Sequence, residues 1–158
     1  MRVDLALGPS ARRVSPLAVT DLGFRAFAER NQPRYTRYAS ARLTRDADVQ
    51  VAVHITFGLA SGNWAWLLSQ PVLAAAVWAE LRHQVEARLV KGAPPDHHAA
   101  ALYKALPRVK ADSVLLCHRL HFDVEAAAEL MGVEPPAVEA SLRAAKRTPP
   151  PLAERKDS

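Results

Sequence analysis

Apolar residues along this chain recur at spacings of three and four and seldom alternate with polar ones, so the pattern predicts helices rather than sheet. The best strand candidate, 49–57, reads equally well as the buried face of a helix, and the fold class expected is all-α. In the first half, Asp21 is placed to cap a helix carrying Phe24, Phe27 and Ala28. Pro33 is expected to interrupt it, before a second pattern with Tyr35, Tyr38, Ala39 and Leu43. Asp46 and Asp48 open the next helix, which runs to about Leu59. After a break at Ser61, Gly62 and Asn63 come 64–68 and a long helix from Pro71 to about Val90.

The second half has the order of a helix-turn-helix. Asp123 precedes the Ala-rich run 124–131, where its carboxylate can accept a hydrogen bond from a free backbone N–H of the first turn. Ala127 and Ala128 leave room for a close helix crossing, and Gly132 can end the helix in the left-handed conformation. Pro135 and Pro136 suit the first turn of a second helix, whose Val138, Leu142 and Ala145 form one apolar stripe. Upstream, Leu102, Leu106, Leu115 and Leu116 supply a further layer, and Pro107 separates two short helices. Three to four helices are expected in this half.

Breaks in composition set the expected organisation. Residues 1–20 read as a mobile basic leader, 21–90 as one small helical domain, and 91–99 as a flexible linker containing KGAPPD. Residues 100–147 form the second helical domain, and 148–158 read as a disordered tail. At 158 residues and 49% hydrophobic, the chain can bury such cores. No secretory signal opens it, and the most apolar stretch, 64–81, is broken by Ser69, Gln70 and Pro71. A cytoplasmic protein without membrane association is expected, which agrees with the single Cys117.

Candidate chemistry adds little to catalysis and more to binding. Cys117, His118 and His121, with His97 and His98, lie near one another in sequence, but they lack the two spaced ligand pairs of a structural zinc site. No Gly-rich phosphate loop, nucleophile elbow or zinc-protease helix occurs, so neither an enzyme nor a bound cofactor is expected. The net charge of +5 is concentrated partly in Arg25, Arg30, Arg34, Arg37, Arg42 and Arg45, interleaved with Tyr35 and Tyr38. Such a set can bind phosphates and stack on bases, while its spacing also describes a solvated helix face whose tyrosines pack inward.

The stretch from Leu106 to Arg147 resembles region 4 of a sigma factor of the extracytoplasmic-function group, within the sigma-70 family. Leu106, Pro107, Val114, Leu116, Asp123, Ala128, Gly132, Val133, Val138 and Leu142 occupy the matching frame. The first half is similar to region 2, with Asp48 and Phe57 retained in DVQVAVHITF and Trp64, Trp66 and Trp78 resembling the aromatic core that follows. The resemblance implies two small helical domains joined by a flexible linker. It implies promoter contact by Pro136, Ala137, Glu139, Ala140, Ser141, Arg143, Lys146 and Arg147, and polymerase contact by Asp48, Gln50, Val51, His54, Ile55 and Phe57. Arg82 and Arg88 fall near where the family contacts the melted promoter.

The chain departs from the family where charges matter. The Lys-Ser-Arg of the recognition helix is Glu139, Ala140 and Ser141 here, and Glu-Ile is Ala126 and Ala127. Loss of cations weakens the counterion-release term, and Glu139 repels phosphate unless Arg143, four residues on, pairs with it. Two functions of different class follow. One is transcription initiation or regulation, with core RNA polymerase and promoter DNA as partners and an anti-sigma protein as an antagonist. The other is a diverged module that acts by protein contact or homodimerisation through an apolar face of Val51, Val53 and Ile55.

Overall fold

A computed structural model describes residues 16–147, and among them every regular element is a helix, with one isolated antiparallel bridge between Leu43 and Pro95. The expected tail and all but the end of the expected leader lie outside the described residues. Helix α1 spans Pro16–Arg42, α2 Asp46–Gly62, α3 Trp64–Leu68 and α4 Leu73–Val90. The second half holds α5, His97–Ala105, then α6, Arg108–Val114, which continues into a π-helical turn over Leu115–Arg119. Helices α7, Val124–Met131, and α8, Pro135–Lys146, complete the described chain.

Helix α1 corrects two expectations. It begins before Asp21, whose carboxylate pairs with Arg25 at 3.1 Å instead of capping, and it runs through Pro33 without a break. Packing explains the continuity. Phe27 before the proline and Tyr35 after it meet edge to face at 6.4 Å in one aromatic core, so both sides of Pro33 are anchored to the same surface. Tertiary burial of a helical face outweighs a local preference of this kind. Tyr35, Tyr38, Ala39 and Leu43, the expected apolar stripe, are all buried.

That core joins α1 to α2, α3 and α4. Trp64 lies 5.4 Å from both Phe24 and Phe27, Tyr35 stacks on Phe57 at 5.2 Å, and Trp78 packs 4.5 Å from Tyr38. Trp64 and Trp78 are therefore core residues, but Trp66 is 59% exposed and is not. A two-residue step on a helix turns through about 200°, so burying Trp64 sends Trp66 outward. The same geometry corrects the expected Val51, Val53 and Ile55 face: Val53 is buried while Val51 is exposed, because positions two apart share a face on a strand and not on a helix.

The segment between the halves is held at several points. Thr44 N–H donates to the Pro94 carbonyl at 3.2 Å, and Asp96 N–H donates to that of Arg42 at 3.0 Å. Asp96 then caps α5 by accepting from Ala99 N–H at 3.0 Å. Leu106 and Pro107 are extended, which separates α5 from α6 where Pro107 predicts a break. Leu115 and Leu116 enter the core shared by both halves.

Candidate functional site

Helices α6, α7 and α8 form the unit in which a DNA-reading helix is expected. Asp123 caps α7, its Oδ1 accepting from Ala126 N–H at 2.7 Å. Gly132 ends α7 with φ +74°, and its N–H bonds back to the Ala128 carbonyl at 2.9 Å. A side chain at Gly132 would meet a second obstacle. Its Cβ would stand 2.3 Å from the backbone nitrogen of Ala75 in α4, so the turn between α7 and α8 presses directly on the first half. Pro135 and Pro136 occupy the first turn of α8, where a missing N–H has no helical acceptor.

The faces of α8 follow from its stripe. Val138 is fully buried, and Leu142 and Ala145 are partly buried. Ser141 falls on the same stripe and is 8% exposed, so it is a packing residue and not one of the outward set. Pro136, Ala137, Glu139, Ala140, Arg143, Lys146 and Arg147 are exposed. Glu139 and Arg143 form no ion pair with each other among the described residues, so the pair that their spacing allows is not made.

On α2, Gln50, Val51 and His54 are exposed and Ile55 is partly buried. Asp48 is tied to Arg45 at 2.9 Å. Phe57 is turned into the aromatic core, where it packs on Tyr35 and Phe27. Arg82 faces inward, its Nε 3.4 Å from the buried carboxylate of Asp112, and Arg88 buries its Nε without a hydrogen-bond partner.

Asp112 is the polar centre of the molecule, and sequence reasoning missed it. The residue is 1% exposed, yet its carboxylate accepts from Tyr38 OH at 2.9 Å, from Trp78 Nε1 at 3.1 Å and from Tyr103 OH. Around it, Arg42 donates to Tyr38 OH at 3.0 Å, lies 3.7 Å from the centre of the Tyr103 ring and pairs with Glu86 at 3.6 Å. Helices α1, α4, α5 and α6 thus meet on one carboxylate. Burial pushes the Asp112 carboxyl above its usual range, against the hydrogen bonds from Tyr103 and Tyr38 and the Arg82 charge, which favour the ionised form. Burial likewise raises the Tyr38 and Tyr103 hydroxyls, so both act as neutral donors. The available signal was a carboxylate between Ala111 and Ser113, one helical turn before Leu115 and Leu116, a position that is seldom charged unless paired.

The arginines of α1 are occupied in the same way. Arg30 holds Glu129 through two bonds of 2.6 and 2.8 Å, with Arg34 at 3.4 Å from the same carboxylate. The Arg30 hydrogen bond keeps the Glu129 carboxyl below its ordinary range. Arg37 lies over the Phe122 ring at 4.5 Å and donates to the Leu120 carbonyl. With Tyr35 and Tyr38 buried, this stretch is a seam between helices and offers no ring to a base.

No family model, curated protein or solved structure matches this chain. Among the described residues, no three His, Cys, Asp or Glu side chains gather where they could hold a metal ion. Cys117 and His118 lie in the π-helical turn, and His121 falls beyond it in left-handed backbone, φ +63°. Burial raises the Cys117 thiol, which disfavours the thiolate that a metal requires. No helix among the described residues is long and apolar enough to cross a membrane.

Proposed function

We propose that this chain is a sigma-factor-like regulator of transcription in the cytoplasm, which docks on core RNA polymerase through α2 and offers α8 to promoter DNA. The observation that carries the reading is the α6–α8 unit, capped by Asp123 and turned at Gly132, with the outer side of α8 exposed. Its work is positioning and promoter opening, without covalent chemistry. Gln50, Val51 and His54 form the polymerase-facing side of α2, and Arg143, Lys146 and Arg147 neutralise phosphates beside the groove. The two helical halves correspond in this reading to regions 2 and 4, and an anti-sigma protein is a natural antagonist.

The test is salt-dependent binding of the full chain to promoter fragments of its host, read by fluorescence anisotropy. Affinity falls steeply with salt, and Ala at Arg143, Lys146 and Arg147 weakens binding and reduces the slope of log affinity against log salt by roughly 0.9 for each phosphate no longer neutralised. Unchanged affinity in that variant overturns the role of α8. The second reading, a module that acts through protein contact, is favoured by the exposed Val51 and Trp66 on the first half. It predicts association that does not weaken with salt.

A further inference from the structure

Between α1, the start of α4 and α7 lies a cavity of about 420 Å³, within the size range of small-ligand sites. Phe27, Leu73, Ala74 and Leu130 make its walls apolar. Arg30 and Glu129 stand exposed at its rim, where two bonds of 2.6 and 2.8 Å commit each charge to the other. Asn31 and Tyr35, 6% and 1% exposed, form its floor. They stand four residues apart on α1, so their side chains share one face within reach of a single ligand group.

Both floor residues carry a polar group without a partner. Among the described residues the Tyr35 hydroxyl makes no hydrogen bond, and burial alone acts on it, raising its pKa. The Asn31 amide is oriented by its Nδ2, which donates to the Phe27 carbonyl at 3.1 Å. That leaves Oδ1 as an acceptor with no donor among the described residues. Unpaired polar groups in an interior are costly, and neither of these supports the fold.

We propose that this cavity binds a small neutral phenol, whose hydroxyl donates to Asn31 Oδ1 and accepts from the Tyr35 hydroxyl while its ring lies against Phe27 and Leu130. A hydroxyl fills both roles with one oxygen. Water satisfies the two polar groups but leaves the apolar walls wet, whereas an aromatic ring covers them. A carboxylate sets its charge against the Asn31 oxygen. The excess cation near the rim, Arg34 at 3.4 Å from Glu129, makes an anion the rival ligand all the same. A phenol seated here touches α1, α4 and α7 together and fastens the second half of the chain to the first.

Titration of the full chain with p-cresol, followed by amide proton–nitrogen NMR, tests the site. Saturable shifts at Leu73, Ala74 and Leu130 are expected, with Kd near or below about 1 mM. Tyr35→Phe should weaken p-cresol about fivefold to tenfold and leave toluene binding unchanged. Its Tm should stay level or rise, because no hydrogen bond within the fold is lost. Ala74→Leu, which fills the cavity from a helical position, should abolish binding with the circular dichroism retained. No saturable shift at those amides overturns the proposal and leaves the cavity to water, as does p-cresol binding that Tyr35→Phe or Ala74→Leu leaves unaltered. Tighter binding of 4-methylbenzoate than of p-cresol overturns the neutral class and assigns the site to an anion.

Discussion

Replacing Asp112 by Ala removes the group on which four helices converge, and the structure sets the size of the loss. Trp78 is 3% exposed and its Nε1 has no acceptor besides Asp112 among the described residues, so a buried N–H is left unsatisfied at about 1–3 kcal/mol. Tyr38 is fully buried, but its hydroxyl lies 3.2 Å from that of Tyr103 and can turn to it, which holds the loss there near the lower end of that range. Arg82 loses its carboxylate, and with 19% of its side chain exposed it is only partly compensated by water. Together these place the variant about 3–5 kcal/mol below the native chain, the range for breaking a buried pair from one side. Typical domains have only about 5–15 kcal/mol in total. Urea denaturation at pH 7, followed by circular dichroism, measures the difference as a fall in midpoint with unchanged slope. Because the carboxylate ties α1 and α4 to α5 and α6, native unfolding should be one transition. A loss below about 1 kcal/mol would refute the reasoning, since even one orphaned buried donor exceeds it.

Gly132→Ala combines a left-handed backbone, disfavoured for Ala by about 1–2 kcal/mol, with a clash that must push the α7–α8 turn off α4 at about 1–3 kcal/mol. Thermal unfolding should show a clear fall in Tm, and an unchanged Tm would contradict the close approach to Ala75. Glu129 and Asp96 have folded pKa values below their ordinary 4.5 and 3.8, so their stabilisation is present above those values and lost as pH falls through the folded ones. Asp112 has the opposite sign, its raised folded value adding stability on acidification. Glu129→Gln should therefore flatten the acid side of a Tm-against-pH profile, leaving the Asp96 contribution, and an unaltered profile would dismiss the Arg30–Glu129 pair as a contributor.

Local chemistry was legible at the turn between α7 and α8, although not at Asp21, which lies inside α1 and does not cap it. Asp123, Gly132 and the Pro135–Pro136 pair each fix backbone within a few positions, and the structure places a cap, a left-handed end and a helix start there. Pro33 misled for the same reason, because its local preference is overruled by the aromatic core that grips α1 on both sides. Ser141 and Trp66 show the limits of residue type: each faces the side that helical phase dictates, whatever its polarity. Least legible was Asp112, whose partners Tyr38 and Trp78 are 74 and 34 residues away. No periodicity links such positions. On the candidate site, the outward set of α8 could be read from its apolar stripe, while the inward commitment of Arg82 depended on that same distant carboxylate.

The most direct measurement is affinity capture of the tagged full chain from its own host, quantifying the subunits of core RNA polymerase against the bait. Stoichiometric core enzyme, reduced when Val51 and His54 are replaced by charged residues, is the predicted result. Bait recovered without polymerase would contradict the sigma-like account.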